Sequence, residues 1–298
     1  MRFGLTTPVV TLTARSHDPW EVAAGAKELA QIARAADRLG YHHLTCSEHV
    51  GIPHNVVATR GGRYYDPLAT LGYLAAFTER IRLATHVIVL PYHHPLEVAK
   101  RYGTLDAVSG GRLILGVGVG SLEPEFALLG VDFAGRGPRY EDALRALRAA
   151  LGKREPTYAG THYEFGGFVV DPCAQQEHVP LWLGGRSKRS LRRALAFGDG
   201  WDPFYLTVDQ LGALLGEARE WPLWRERHAQ PHPFELVFSP DEIYDVSTPA
   251  GRDAMSAALR QYAAVGTTIL TLRFRSASLA HYLEQLEIFM REVAPQLG

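Results

Sequence analysis

Four short clusters in this 298-residue chain bring together groups able to do chemistry. Ser47–Glu48–His49 sets an imidazole beside a carboxylate, a pair that can give or take a proton near neutral pH. Such a histidine can equally well do no more than satisfy a buried loop carbonyl. Thr85–His86–Val87 embeds a histidine in an apolar run, where a core residue with one good hydrogen bond is the ordinary outcome. Gly116–Ser121 (GVGVGS) superficially echoes a phosphate loop, but its glycines alternate along a strand end rather than turning into a helix. That pattern suits the close approach of a flat ligand to the backbone. Gly184–Gly185–Arg186–Ser187 has the most definite mechanism: the glycines let N–H groups converge, the helix start adds partial positive charge, and both side chains can donate. A phosphate is its natural occupant. A plain turn with Ser187 as N-cap accounts for the same four residues.

Positioning these clusters requires strand ends that face one another. The run 81–90 is apolar and β-branched, and reads as a strand buried on both faces. A helix over 96–108 and a second strand over 112–117 complete a βαβ unit, and Gly110–Gly111 ends the helix between them. Strands are expected at 2–6, 43–46, 179–183, 200–202, 234–239 and 268–272. Helices are expected at 21–39, 66–77, 139–151, 187–197, 208–228 (with a possible break at Pro222), 250–265 and 279–293. Residues 158–171 alternate between glycine turns and read as a hairpin inserted into this rhythm. Eight strand–helix pairs with no linker favour an α/β single domain over 1–298, a closed (β/α)8 TIM barrel with a small inserted hairpin. In such a barrel the four clusters all fall at the carboxyl ends of strands, where ligands bind.

With 46% hydrophobic and 21% charged residues, the chain can build a large core. A net charge of −1 argues against nucleic acid as a partner. Two cysteines far apart, no signal-like N-terminus and no membrane-length apolar run fit a reduced, cytoplasmic protein. His93–His94 lacks a suitably spaced third ligand, so no metal site is expected. The basic set Arg186, Lys188, Arg189, Arg192 and Arg193 reads mostly as a solvated helix face whose first members can assist an anion.

Taken in order, RFGLTTP, LGYHHLTCSEH, YYDPLATLGYLAAFTERIRLATHVIVLPY, HPLEVAKRYGTLDAVSGGRLILGVGVG and PLWLGGRSKRSLRRALAFGDGW resemble the luciferase-like flavin-dependent oxidoreductases, and among them the branch that uses the deazaflavin coenzyme F420. The resemblance runs to about Trp201. It implies a (β/α)8 barrel in which Glu48 meets the polar edge of the cofactor ring and His49 stands near its reactive face. It also implies a cis peptide at His86–Val87 buttressing the ring, with Val119 and Gly120 lining the ring or its ribityl chain. Gly184, Gly185, Arg186, Ser187 and Lys188 would hold the phosphate. His86 stands where a small residue is common, Arg186 where Asn or Pro often follows, and Ser121 where sugar-phosphate dehydrogenases of the family carry a catalytic Glu. The expected function is hydride transfer between F420 and a small organic substrate, with His49 as acid or base and a homodimer by family habit. An FMN-dependent monooxygenase and a non-catalytic flavin-binding protein of the same fold are the alternatives.

Overall fold

The computed structural model describes residues 1–13 and 16–297. Eight strands form its centre: β1 (Arg2–Leu5), β2 (His43–Cys46), β3 (Arg82–Thr85), β4 (Leu113–Gly118), β5 (Leu181–Gly184), β6 (Gly200–Asp202), β7 (Glu235–Phe238) and β8 (Ile269–Leu272). Each pairs in parallel with the next, and β8 pairs with β1, so the sheet closes on itself with no edge. Around it lie α1 (Ala26–Leu39), α2 (Pro67–Ala75), α3 (Pro95–Ser109), α4 (Arg136–Ala150), α5 (Lys188–Phe197), α6 (Val208–Arg219), α7 (Pro249–Val265) and α8 (Leu279–Ile288). This is the expected TIM barrel.

Local chemistry sets the helix ends. Pro67 opens α2 while Asp66 Oδ1 accepts from the Ala69 N–H at 2.8 Å. Gly40 and Gly110 end α1 and α3 in the left-handed region, at φ 83° and 72°. The barrel's two cores follow from strand alternation. Ala84, Ile114, Trp182, Val237 and Ile269 fill the lumen, and the larger core lies between sheet and helices. Below the mouth the lumen is closed by Trp182 and by His43, whose ring packs over Gly4 and whose Nε2 lies 3.1 Å from Thr271 Oγ1. Among the described residues, no helix is long and apolar enough to cross a membrane.

Two elements differ from expectation. The stretch 81–90 is not one strand: β3 ends at Thr85, the His86–Val87 peptide is cis, and Ile88–Val89 then pairs with Val117 and Gly118 of β4. The stretch 208–228 divides where the proline suggested, since Pro222 opens a second short helix, Pro222–His228. Within 158–171, only Tyr158–Ala159 and Glu164–Phe165 pair.

The alternating glycines of β4 have a packing cause. A Cβ on Gly116 would stand 2.0 Å from the Thr85 carbonyl oxygen, and one on Gly118 would stand 2.8 Å from Val87 Cγ2. They accept the step in β3, so the close approach is made by protein rather than by a ligand. Gly116→Ala is therefore expected to cost about 3 kcal/mol or more, because backbone must move to admit the methyl group. Urea denaturation of the variant measures this, and a loss below about 1 kcal/mol would show that the neighbouring strand yields easily.

Candidate active site

His49 leaves the end of β2 and turns its Nδ1 to Glu125 Oε2, 2.8 Å away. Glu125 belongs to a short helix, Glu123–Leu128, that follows β4, and its side chain is fully buried. The same carboxylate accepts from Tyr92 Oη at 2.9 Å and from the backbone N–H groups of Val50 (2.5 Å) and Gly51 (3.2 Å). Burial opposes ionisation of Glu125, but bonds from His49, Tyr92 and Val50 outweigh it and hold the carboxyl below its ordinary range. A carboxylate that binds Nδ1 fixes the ring's orientation and leaves Nε2 for a ligand. Across from it, the Tyr64 ring lies 4.5 Å from the imidazole, edge to face. The open choice at His49 is thus resolved at Nδ1: its partner is a carboxylate, not a loop carbonyl.

Glu48, next in sequence, points elsewhere. Its Oε2 accepts from Val89 N at 2.6 Å and its Oε1 lies 2.7 Å from His93 Nε2. It therefore ties β2 to the continuation of β3. Burial alone would lower the pKa of His93; the Glu48 carboxylate reverses this and raises it. His86 reaches inward across the lumen to Asp202 at the end of β6, with Nε2 3.2 Å from Oδ1 and 3.0 Å from Oδ2. Here too burial works against the charge, and Asp202 more than compensates, so the imidazole titrates above its usual value. In each of the three pairs the carboxylate is the more buried partner.

Backbone contacts draw the candidates of β2, β3 and β5 together. Ser47 Oγ donates to the His86 carbonyl at 2.7 Å, and the Glu48 N–H donates to the Val87 carbonyl at 3.2 Å. A Cβ on Gly184 would stand 3.4 Å from Val87 Cγ1. Val119 is partly buried against the core. Gly120 is left-handed, at φ 77°, and a Cβ there would meet Phe126 and Val89 at 2.6 Å, so protein covers that face. On the far side of β5, Gly185 is also left-handed, at φ 114°. Ser187 caps α5 in a reciprocal box: its Oγ accepts from Ser190 N, and Ser190 Oγ meets Ser187 N. Arg186 is exposed over the Phe204 ring, and Lys188 pairs with Glu217 at 2.5 Å. Cys46 is buried, and its thiol is pushed up to about 12 by that burial.

Glu125, Tyr92, His93 and Asp202 carry no local motif. Glu125 lies 76 positions from His49, and a carboxylate opening a short helix reads as a surface residue until the loop from β2 is seen resting on it.

A family profile described as luciferase-like monooxygenase matches residues 1–289. An uncharacterised protein of Mycobacterium tuberculosis (strain ATCC 25618 / H37Rv) is 29% identical over 217 residues, covering 69% of this chain and 74% of that one. Among solved structures, the monooxygenase RslO1 from Streptomyces bottropensis superposes with a TM-score of 0.80 at 22% identity, over 100% of both chains. An F420-dependent secondary alcohol dehydrogenase in complex with an F420–acetone adduct gives 0.77 at 15% identity, over 100% and 99% of the two chains. The oxygenating constituent of 3,6-diketocamphane monooxygenase from Pseudomonas putida, in complex with FMN, gives 0.74 at 16% identity, over 99% and 98%. At these identities the likeness is one of fold.

Glu125→Gln keeps the shape of the network but removes its charge, and is expected to destabilise the fold by about 2–4 kcal/mol at neutral pH. Because the folded-state pKa of Glu125 is depressed, its contribution is present above the unfolded-state value and lost as pH falls through the folded one. The difference between wild type and variant should therefore be flat from pH 6 to 8 and shrink as pH falls below 4.5. Denaturant midpoints across that range measure it; a difference independent of pH would show that Glu125 is not ionised in the fold.

Proposed function

Because this chain belongs to the luciferase-like monooxygenase family, we propose that it is an oxidoreductase that moves a hydride between coenzyme F420 and a small organic molecule. One observation carries the reading. The His49–Glu125 pair follows β2 and the Gly184–Lys188 turn follows β5, and both strand ends meet Val87: the Glu48 N–H donates to its carbonyl at 3.2 Å, and a Cβ on Gly184 would stand 3.4 Å from its Cγ1. The turn fits an anionic group: Gly185 takes a backbone conformation that favours glycine, the first N–H groups of α5 have no partner within the helix, and Arg186 and Arg189 are exposed beside it. Ser187 would contribute chiefly as the cap that fixes this geometry. A deazaflavin, when bound, supplies the carbon that carries the hydride; the protein's part is position and proton handling.

His49 performs the proton step. With Nδ1 held by Glu125, Nε2 is the atom free to give or take the proton that accompanies hydride transfer. Glu125 stays ionised and stabilises the imidazolium when it forms. Glu48 keeps its sequence-derived role at the cofactor's polar edge only by sharing a carboxylate already bonded to Val89 and His93. His86 and Val87 would buttress the ring from β3. Val119 and Gly120 would stand beside it. The exposed cations at the start of α5 support F420, whose tail is more anionic than that of FMN. An FMN-dependent monooxygenase is the second reading, favoured by the fold shared with the FMN-bound diketocamphane enzyme.

Fluorescence titration of the purified protein is expected to give a lower dissociation constant for F420 than for FMN. Tighter FMN binding would transfer the reading to the monooxygenase. His49→Ala is expected to lower kcat by about a hundredfold with cofactor affinity little changed, the usual scale for removing an acid–base group. Stopped-flow reduction or oxidation of the bound cofactor measures the step; normal turnover at saturation would assign the proton elsewhere.

A further inference from the structure

A cavity of about 140 Å³ opens at the amino ends of the strands, at the opposite end of the barrel from the mouth. Arg2, Arg82 and Glu235 are the first residues of β1, β3 and β7, and His42 and Asp199 each stand one residue before a strand. All five line this space. Ile114, Trp182 and Ile269 of the lumen cluster form its inner wall, so the plug of the barrel separates it from His49 and Glu125. The oxidoreductase reading uses none of these residues.

The charges around it do not balance. Glu235 is matched, since Oε2 pairs with Arg2 at 2.5 Å and accepts from Thr268 Oγ1 at 2.6 Å. Asp199 holds two cations, Arg148 at 2.7 Å and Arg227 at 3.2 Å. Arg82 is different: among the described residues it forms no ion pair. Its Nη2 donates to the Leu113 carbonyl at 2.9 Å and to Gln176 Oε1 at 2.8 Å, both neutral, and its Nε is buried with no hydrogen bond. The other buried arginine with an unbonded Nε, Arg273, holds both oxygens of Glu21. Burial lowers the pKa of the Arg82 guanidinium, and Asp106 opposes this from behind Gln176, whose Nε2 donates to Asp106 Oδ1 at 2.7 Å. His42 adds no charge, because burial first, then Arg2 and Arg82, push it down to about 3. Four guanidinium groups, those of Arg2, Arg82, Arg148 and Arg227, thus face two carboxylates, those of Asp199 and Glu235. Fastening β3 to β4 accounts for Arg82 Nη2, but not for an unbonded charged donor beside a cavity.

We propose that this amino-end cavity binds a small, doubly charged oxyanion such as phosphate or sulfate, with Arg82 as its chief partner and Arg2 beside it. The surplus of two positive charges matches such an ion, and an arginine N–H to an oxyanion is a strong, charge-assisted bond. Size agrees: liquid water takes about 30 Å³ per molecule, so the space admits an ion of four oxygens and excludes a nucleotide. A metal ion does not fit the positive surplus, and among the described residues no cluster of His, Cys, Asp and Glu is arranged to hold one. The bound ion ties the start of β1 to the start of β3 across the base of the barrel. The proposal is independent of the cofactor and of the mouth.

Calorimetric titration of the full-length protein with sodium phosphate and sodium sulfate, each against sodium chloride at equal ionic strength, tests it. A saturable site with a dissociation constant of about 1 mM or below is expected for the dianions and none for chloride, and the tighter dianion identifies the ion. The Gly184–Lys188 turn is itself read as a phosphate site, so the titrations are repeated in a protein carrying Arg186→Ala and Lys188→Ala, both exposed positions. Dianion binding is expected to persist there. Adding Arg82→Gln to that protein is expected to weaken it at least about tenfold, and adding Arg2→Gln about three- to tenfold, with circular dichroism unchanged. The Arg2 side chain is 47% exposed, so Arg2→Gln decides the matter if Arg82→Gln does not fold. No dianion binding beyond that of chloride, binding abolished by Arg186→Ala and Lys188→Ala alone, or affinity unchanged by both Arg82→Gln and Arg2→Gln would each overturn the proposal.

Discussion

Val87 occupies the space that Cβ atoms on the strands beside it would need, and the ligand end of the barrel depends on that exchange. Gly118 leaves room for its side chain, Gly184 meets it from β5, and Gly116 admits the Thr85 carbonyl beneath it. Overlaps of this size cannot be relieved by turning a side chain, because at Gly116 the neighbour is backbone. Strand three can therefore step inward at His86 and rejoin β4 at Ile88 without opening the sheet. The step aims His86 into the lumen and puts the Val87 carbonyl where the Glu48 N–H can bond to it. Glycine spacing on one strand thus sets the direction of side chains on two others.

Above that step one arrangement recurs. Glu125 backs His49, Asp202 backs His86 and Glu48 backs His93, each carboxylate more buried than its imidazole. Glu125 and Glu48 each accept further hydrogen bonds, from Tyr92, Val50 and Gly51 and from Val89, while Asp202 has His86 as its ion partner; pairing of this kind is the condition for keeping a buried charge. Each imidazole is held through one ring nitrogen. Hydrogen bonds to buried carboxylates hold the ring orientations, so a group arriving beside them meets side chains that need little rearrangement.

Much of this was legible in the chain itself, and for physical reasons. Pro67, Pro95 and Pro249 open helices, while Gly40 and Gly110 close them, so the strand–helix rhythm and the closed barrel could be read from punctuation and periodicity. Ser47–Glu48–His49 and Gly184–Ser187 stood out as candidates because residue type and spacing are local properties of the chain. What stayed hidden depends on partners remote in sequence. Glu125 matters because a loop 76 positions away settles on it, and Asp202 because His86 lies 116 positions away. GVGVGS invited a ligand-facing interpretation because a missing side chain looks the same in sequence whether a cofactor or a valine fills the gap.

The floor formed by His43 and Trp182 has a consequence for the order of events. Both residues are essentially inaccessible, and with the apolar lumen cluster they block the barrel beneath the mouth, so it is a blind well rather than a passage. Everything that reacts inside it must enter and depart by the same opening. Where two molecules occupy such a well at different depths, the deeper one arrives first and leaves last, and the sequence of release is imposed by stacking rather than by relative affinity.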